Sequence, residues 1–164
     1  MYLNNLRTLK YKKFSEFKYK ILRNILACGD RISKWNKSVS NECVFCKCKE
    51  DISHMLYECT RIKPIWGTIS NCLQLNILLK HIILGVPCHN YISENRNICI
   101  TIVTFSIYSS WYKNSINNGN YATVDLKRNI REKLSFYAEV FGKLLVVKQK
   151  SHFRRLIDCL LFHL

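Results

Sequence analysis

Acidic residues are scarce in this chain. Asp and Glu number 11 against 26 Lys and Arg in 164 residues, a formal net charge of +15. Paired carboxylates for two-metal or acid/base chemistry therefore have little to draw on. Glu50-Asp51 is the only adjacent acidic pair, and no Tyr-x-Asp-Asp occurs. Glycine (5) and proline (2) are also few, which excludes a fibrous or linker-type chain. The glycines stand alone at 29, 67, 85, 119 and 142, so no glycine-rich loop exists to cradle a phosphate. No uncharged stretch exceeds the 16 residues from Asn97 to Tyr112, and a bilayer-spanning helix needs about 20 apolar residues. Met1 to Arg7 leads into further charge, not into the apolar run of a signal peptide. These absences lead us to expect an intracellular protein of the nucleus or cytoplasm, without a membrane partner and without catalysis.

What is present is hydrophobic residues at 48%, enough for a buried core, and nine cysteines. Without secretion, clustered cysteines stay reduced and hold metal more readily than they pair. The charge is uneven. Residues 1–40 hold ten Lys/Arg against Glu16 and Asp30, a balance of +8, whereas residues 41–60 carry a balance of −2. A basic excess of this size implies a polyanionic partner.

Helical periodicity is clearest in two places. Phe14, Phe17, Ile21, Ile25 and Cys28 form one apolar stripe, with Gly29 placed to end the helix. Leu126, Ile130, Leu134, Tyr137, Phe141 and Leu144 form another, with Thr123 at the N-cap and Asp125 at the positive end of the helix dipole. Ile62 to Leu73 predicts a helix that tolerates Pro64 in its first turn. Leu75 to Leu84 fits a short helix or a strand, Ile98 to Tyr112 a buried helix, and Asn117 to Asn120 a loop. The expected fold is mainly α, a helical domain with a small embedded Cys-Cys-His-Cys zinc module. It divides into a basic helical arm (1–40), the zinc-binding module with its following helix (41–73) and a helical C-terminal region (74–164).

Cys43-Val44-Phe45-Cys46 is a Cys-x2-Cys turn, followed by His54 and Cys59. Two thiolates on a tight turn reach one ion, and zinc takes four S and N donors tetrahedrally. Five residues of α-helix rotate by about 140° net, so His54 and Cys59 need a turn or helix end between them to face the same ion. Four protein ligands close the site, which makes the expected cofactor one structural Zn2+ with no open position. Cys48 is a spare that could replace Cys46 in a shifted register. The bland alternative is that the four positions merely line up. Cys28, Cys72, Cys88, Cys99 and Cys159 read as small core residues, and His81, His89, His152 and His163 as lacking a partner at ligand spacing.

Lys12, Lys13, Lys20 and Arg23, continued by Arg31, Lys34 and Lys37, form a candidate phosphate-backbone contact for RNA or DNA. The alternative is an ordinary solvated helix face. Tyr19, Trp35 and Phe45 could stack on unpaired bases, but aromatic residues of this kind more often belong to the core.

Phe17-Lys18-Tyr19-Lys20-Ile21-Leu22, Asn24-Ile25-Leu26 and Lys34-Trp35 lead into the Cys-x2-Cys…His-x4-Cys of residues 43–59, and Pro64-Ile65-Trp66 and Leu84-Gly85 follow. In this order they resemble the zinc-binding region downstream of the polymerase in non-LTR (LINE-type) retrotransposon reverse transcriptases. The likeness is strongest over 17–66 and looser to about 145. It implies a helical region that helps a polymerase hold RNA and target DNA during target-primed reverse transcription. Only Cys43, Cys46, His54 and Cys59 carry over as functional residues. The polymerase motifs are absent, and Cys159 to Leu164 departs from the family's ending, as in a fragment of such an element. Two other readings stand beside this one. In the first, the chain is a protein-interaction module whose apolar 98–112 segment docks on a polymerase core; in the second, it is a decayed fragment without function.

Overall fold

The computed structural model describes residues 11–116 and 123–164, and among them the secondary structure is helical, with a single isolated bridge between Glu42 and Lys49 and no strand. Helix α1 (Lys12–Leu22) buries Phe14, Phe17 and Ile21 on one stripe, as the spacing predicts. It stops earlier than the stripe suggested. Asn24 turns the chain at φ 53, a left-handed conformation that Asn tolerates better than most residues, and the Ile25 amide bonds back to the Lys20 carbonyl. Ile25 is consequently 47% exposed, while Leu26 and Cys28 reach the core by a different path. Gly29 does not end this helix; it begins α2 (Gly29–Trp35).

Helix α3 (Lys63–Leu73) carries Pro64 in its first turn, where no intrahelical N–H is needed. The ambiguous segment before Gly85 is a short helix, α4 (Leu79–Leu84). Helix α5 (Tyr91–Ile116) runs well beyond the 98–112 segment and is covered through most of its middle, with Ile98, Cys99, Ile100, Ile102, Val103 and Ile107 all buried. Thr104, Ser106 and Ser110 are buried too, and each finds an acceptor one turn back in the helix. Thr104 donates to the Ile100 carbonyl at 2.6 Å, Ser106 to Ile102 at 2.7 Å and Ser110 to Ser106 at 2.9 Å. Helix α6 (Thr123–Leu144) buries Leu126, Ile130, Leu134, Tyr137 and Phe141, but leaves Leu144 exposed at its end. Helix α7 (Val147–His163) completes the order. The expected loop at Asn117–Asn120 and the expected cap of Thr123 lie outside the described residues and side chains.

Helix α5 is the hub, packed by α6 and α7, which also pack on each other, while α7 covers α3 and α1 lies on α4 and α5. An aromatic cluster joins α1 to α5 and α6. The Phe14 ring centroid lies 4.7 Å from Tyr137, 5.3 Å from Phe105 and 5.8 Å from Phe141. Most apolar side chains of the 98–112 segment are therefore packed inside this chain, with Tyr112 left 45% exposed. Lys18 and Glu50 are the charged side chains buried among the described residues. Lys18 of α1 donates its ammonium to the Ile82 carbonyl in the last turn of α4, where the helix dipole is negative. Among the described residues, no helix is long and apolar enough to cross a membrane.

Candidate metal centre

The chain from Asn41 to Cys59 builds the site from backbone turns. The Cys43 amide bonds to the Cys48 carbonyl at 2.8 Å, the Lys47 amide to Cys43 at 2.9 Å and the Glu50 amide to Asn41 at 2.8 Å. Lys47 takes the left-handed φ of 60 that closes this turn. Amides of Phe45 and Cys46 face the Cys43 sulfur, and the Cys48 amide faces that of Cys46. Sulfur ligands on such a turn thus receive backbone N–H donors before any ion arrives.

The other two ligands come from a short helix opened by Asp51, whose Oδ1 accepts from the His54 amide at 2.8 Å. From His54 to Glu58 the helix widens to the π form, and the Cys59 amide bonds to the His54 carbonyl, five residues back, at 3.0 Å. An α-helix would have turned His54 and Cys59 apart. The wider turn, with Cys59 leaving the helix at ψ 134, is the bend that the sequence demanded. Trp66 locks it in place, its buried indole N–H donating to the Leu56 carbonyl at 2.7 Å.

Cys43, Cys46, His54 and Cys59 bring their ligand atoms within 4.8 Å of one another. The Cys43 and Cys59 sulfurs are 3.8 Å apart, and the Cys46 sulfur is 3.2 Å from His54 Nε2. A tetrahedral zinc with bonds of 2.0–2.3 Å sets ligand edges of about 3.5–3.8 Å, so the set fits one structural zinc ion. Cys48 stands outside the set. It is exposed, and its thiol donates to the Cys46 carbonyl at 3.6 Å. Burial pushes the Cys43 thiol up to about 12. At Cys46 burial acts in the same sense, but the Cys48 amide and the neighbouring thiols outweigh it and lower the thiol.

The basic residues fall on the far side of α1 and along α2. Lys12, Lys13, Lys20, Arg23, Lys34 and Lys37 are exposed and Arg31 is half-buried. Some are already engaged. Lys12 pairs with Glu16 at 3.8 Å, Lys34 with Asp30 at 3.1 Å, Lys13 lies 4.9 Å over the Phe105 ring, and Arg31 donates to the Asn24 carbonyl. The three aromatic residues are not in the core, contrary to the commoner expectation. Tyr19 is 51%, Trp35 77% and Phe45 46% exposed. Each has a guanidinium over its ring, Arg23 at 5.7 Å, Arg31 at 5.9 Å and Arg61 at 4.2 Å. Arg61 was not singled out by the sequence, because it is paired to Phe45 by the fold and not by helical spacing.

A second group also escaped the sequence. Cys72, Cys159 and His163 gather their ligand atoms within 4.8 Å of one another, so His163 has neighbours of ligand type that its spacing in the sequence did not show. The spacing of His163 four residues after Cys159 was the available signal, since it places both on one helix face.

No curated protein and no solved structure matches the chain. Residues 6–66, which contain all four ligands of the first group together with Trp66, match the family model described as zinc-binding in reverse transcriptase.

Proposed function

We propose that this chain is a non-catalytic, zinc-stabilised module that grips the backbone of RNA or DNA beside a reverse-transcriptase polymerase core. The observation that carries the reading is the surface of α1, α2 and the Cys-x2-Cys turn. Three exposed rings, Tyr19, Trp35 and Phe45, belong to these elements, each under a guanidinium (Arg23, Arg31 and Arg61), and the same segment exposes Lys12, Lys13, Lys20, Lys34 and Lys37. Rings left in water do little for the fold. Beside cations, they offer faces on which unpaired bases stack while the charges neutralise phosphates. The zinc set has four protein ligands and no open position, which supports a scaffolding role for it. The likeness of residues 6–66 to a zinc-binding region, and not to a polymerase, supports an accessory role for the module.

The test is fluorescence anisotropy with a labelled single-stranded RNA and its DNA counterpart across a salt series. Each phosphate contact to a single strand contributes about −0.7 to the slope of log K against log salt. Lys20→Glu with Arg23→Glu is expected to weaken binding at least tenfold and flatten that slope, with the zinc content unchanged. Affinity that ignores both salt and the double substitution overturns the reading.

A further inference from the structure

The chain brings together a second set of soft ligands that the zinc-binding region does not use. Cys72 is buried in the last turn of α3, while Cys159 is half-buried and His163 exposed on α7, which packs over α3. Cys159 and His163 are one helical turn apart and so share a face. Cys72 meets them from across the helix–helix interface, and all three ligand atoms lie within 4.8 Å of one another. From this geometry we infer a second metal site, in which Cys72, Cys159 and His163 bind a thiophilic cation of the zinc class.

The residue types fit that cation. Two thiolates neutralise a divalent ion, imidazole is a good third ligand, and hard cations such as Mg2+ or Ca2+ gain nothing from sulfur. Tetrahedral zinc edges are about 3.5–3.8 Å, so the set closes on an ion by about 1 Å of side-chain movement. Burial and the adjacent Cys159 raise the Cys72 thiol to about 12, so loading the site displaces a proton. The arrangement differs from the first site in two respects. It has three protein ligands in place of four, and its His163 faces solvent, which leaves a fourth position for water. Its ligands also come from helices far apart in the chain, so a bound ion would staple α3, the helix that continues from the Cys-x2-Cys module, to α7.

The experiment is native mass spectrometry of the full chain, reduced, stripped of metal and refolded with excess zinc, with Co2+ absorption as a second readout of thiolate coordination. Wild type is expected to hold two zinc ions. Cys159→Ser with His163→Ala is expected to hold one, and so is Cys59→Ser, each variant losing a different ion. His163→Ala alone changes an exposed side chain and is expected to weaken the second ion at least tenfold while the first stays saturated. One zinc in the reduced wild type, unchanged by Cys159→Ser with His163→Ala, overturns the proposal. So does a Cys72–Cys159 pair that oxidises readily in air but takes up no second ion after reduction.

Discussion

The Glu50 carboxylate accepts the Gly29 amide at 3.2 Å, and the Glu50 carbonyl accepts the Asp30 amide at 2.9 Å, so one residue of the zinc module holds the start of α2 at both its side chain and its backbone. Glu50 is buried there, and burial raises its carboxyl despite the Trp111 side chain, the Gly29 amide and Cys43 acting to lower it. Glycine at 29 is a consequence of this contact. A Cβ at that position would lie 2.8 Å from Glu50 Oε1 and 3.2 Å from the Ser40 carbonyl oxygen.

Gly29→Ala is therefore expected to destabilise the protein by about 1–3 kcal/mol, because the backbone of Ser40 cannot step aside as a flexible side chain can. Gly67→Ala is the internal comparison. Its Cβ meets nothing within 4 Å in the middle of α3, so helix propensity alone acts and stability rises by up to about 1 kcal/mol. Urea unfolding of the zinc-loaded variants measures both. Equal effects of the two substitutions would sink the close-approach explanation.

Zinc removal is expected to loosen residues 41–62 selectively. With the metal chelated, or in Cys59→Ser, hydrogen exchange should accelerate across the Cys-x2-Cys turn and the π-turn while α6 and α7, which pack on α5 and on each other, stay protected. The Cys43 thiol, held up to about 12, is protonated in the metal-free form throughout the neutral range, so zinc must displace that proton. Affinity should fall about tenfold for each pH unit lowered from this ligand alone. Uniform protection with and without zinc would count against a structural role for the ion.

Lys18 gives a pH dependence of the same sense as acid unfolding, stability rising with pH, but on the alkaline side of neutrality. Burial lowers its ammonium from 10.5 to about 8. Below about pH 8 it is charged in both folded and unfolded states, and its burial cost is carried in full. Between about 8 and 10.5 the folded chain holds fewer protons than the unfolded chain, so stability rises with pH. Against Lys18→Met, which lacks this group, the wild type should gain about 1–3 kcal/mol across that window, and paired urea midpoints at each pH cancel the titrations that both chains share. A difference that stays flat from pH 7 to 10.5 would show that the Ile82 carbonyl, and not burial, governs Lys18.

The metal ligands were legible because a Cys-x2-Cys turn is a local device, written in residues three apart. The helices α1, α3, α5 and α6 were legible from apolar spacing, because each buries a face or, for α5, most of its surface. The end of α1 was not. Ile25 kept the periodicity of a helix that Asn24 had already broken, and nothing local reveals that Gly29 is small because Glu50, in the next turn of the fold, occupies its space. The exposure of Tyr19, Trp35 and Phe45 was hidden for the same reason, since helical spacing reports which residues share a face but not whether another element covers it. Cys72 and His163 met only through the packing of α3 against α7, a relation between distant segments that no short motif records.

Phe14 precedes α5 and α6 in the chain, yet its ring is enclosed by Phe105, Tyr137 and Phe141. On the ribosome, the zinc ligands emerge before α5 and α6 and can capture their ion while the aromatic face of α1 still has nothing to rest on. That face stays sticky until α5 and α6 have been made. A ribosome stalled before Tyr137 would thus present a metal-bound turn attached to an unfinished helix, a species for chaperones to hold and proteases to find.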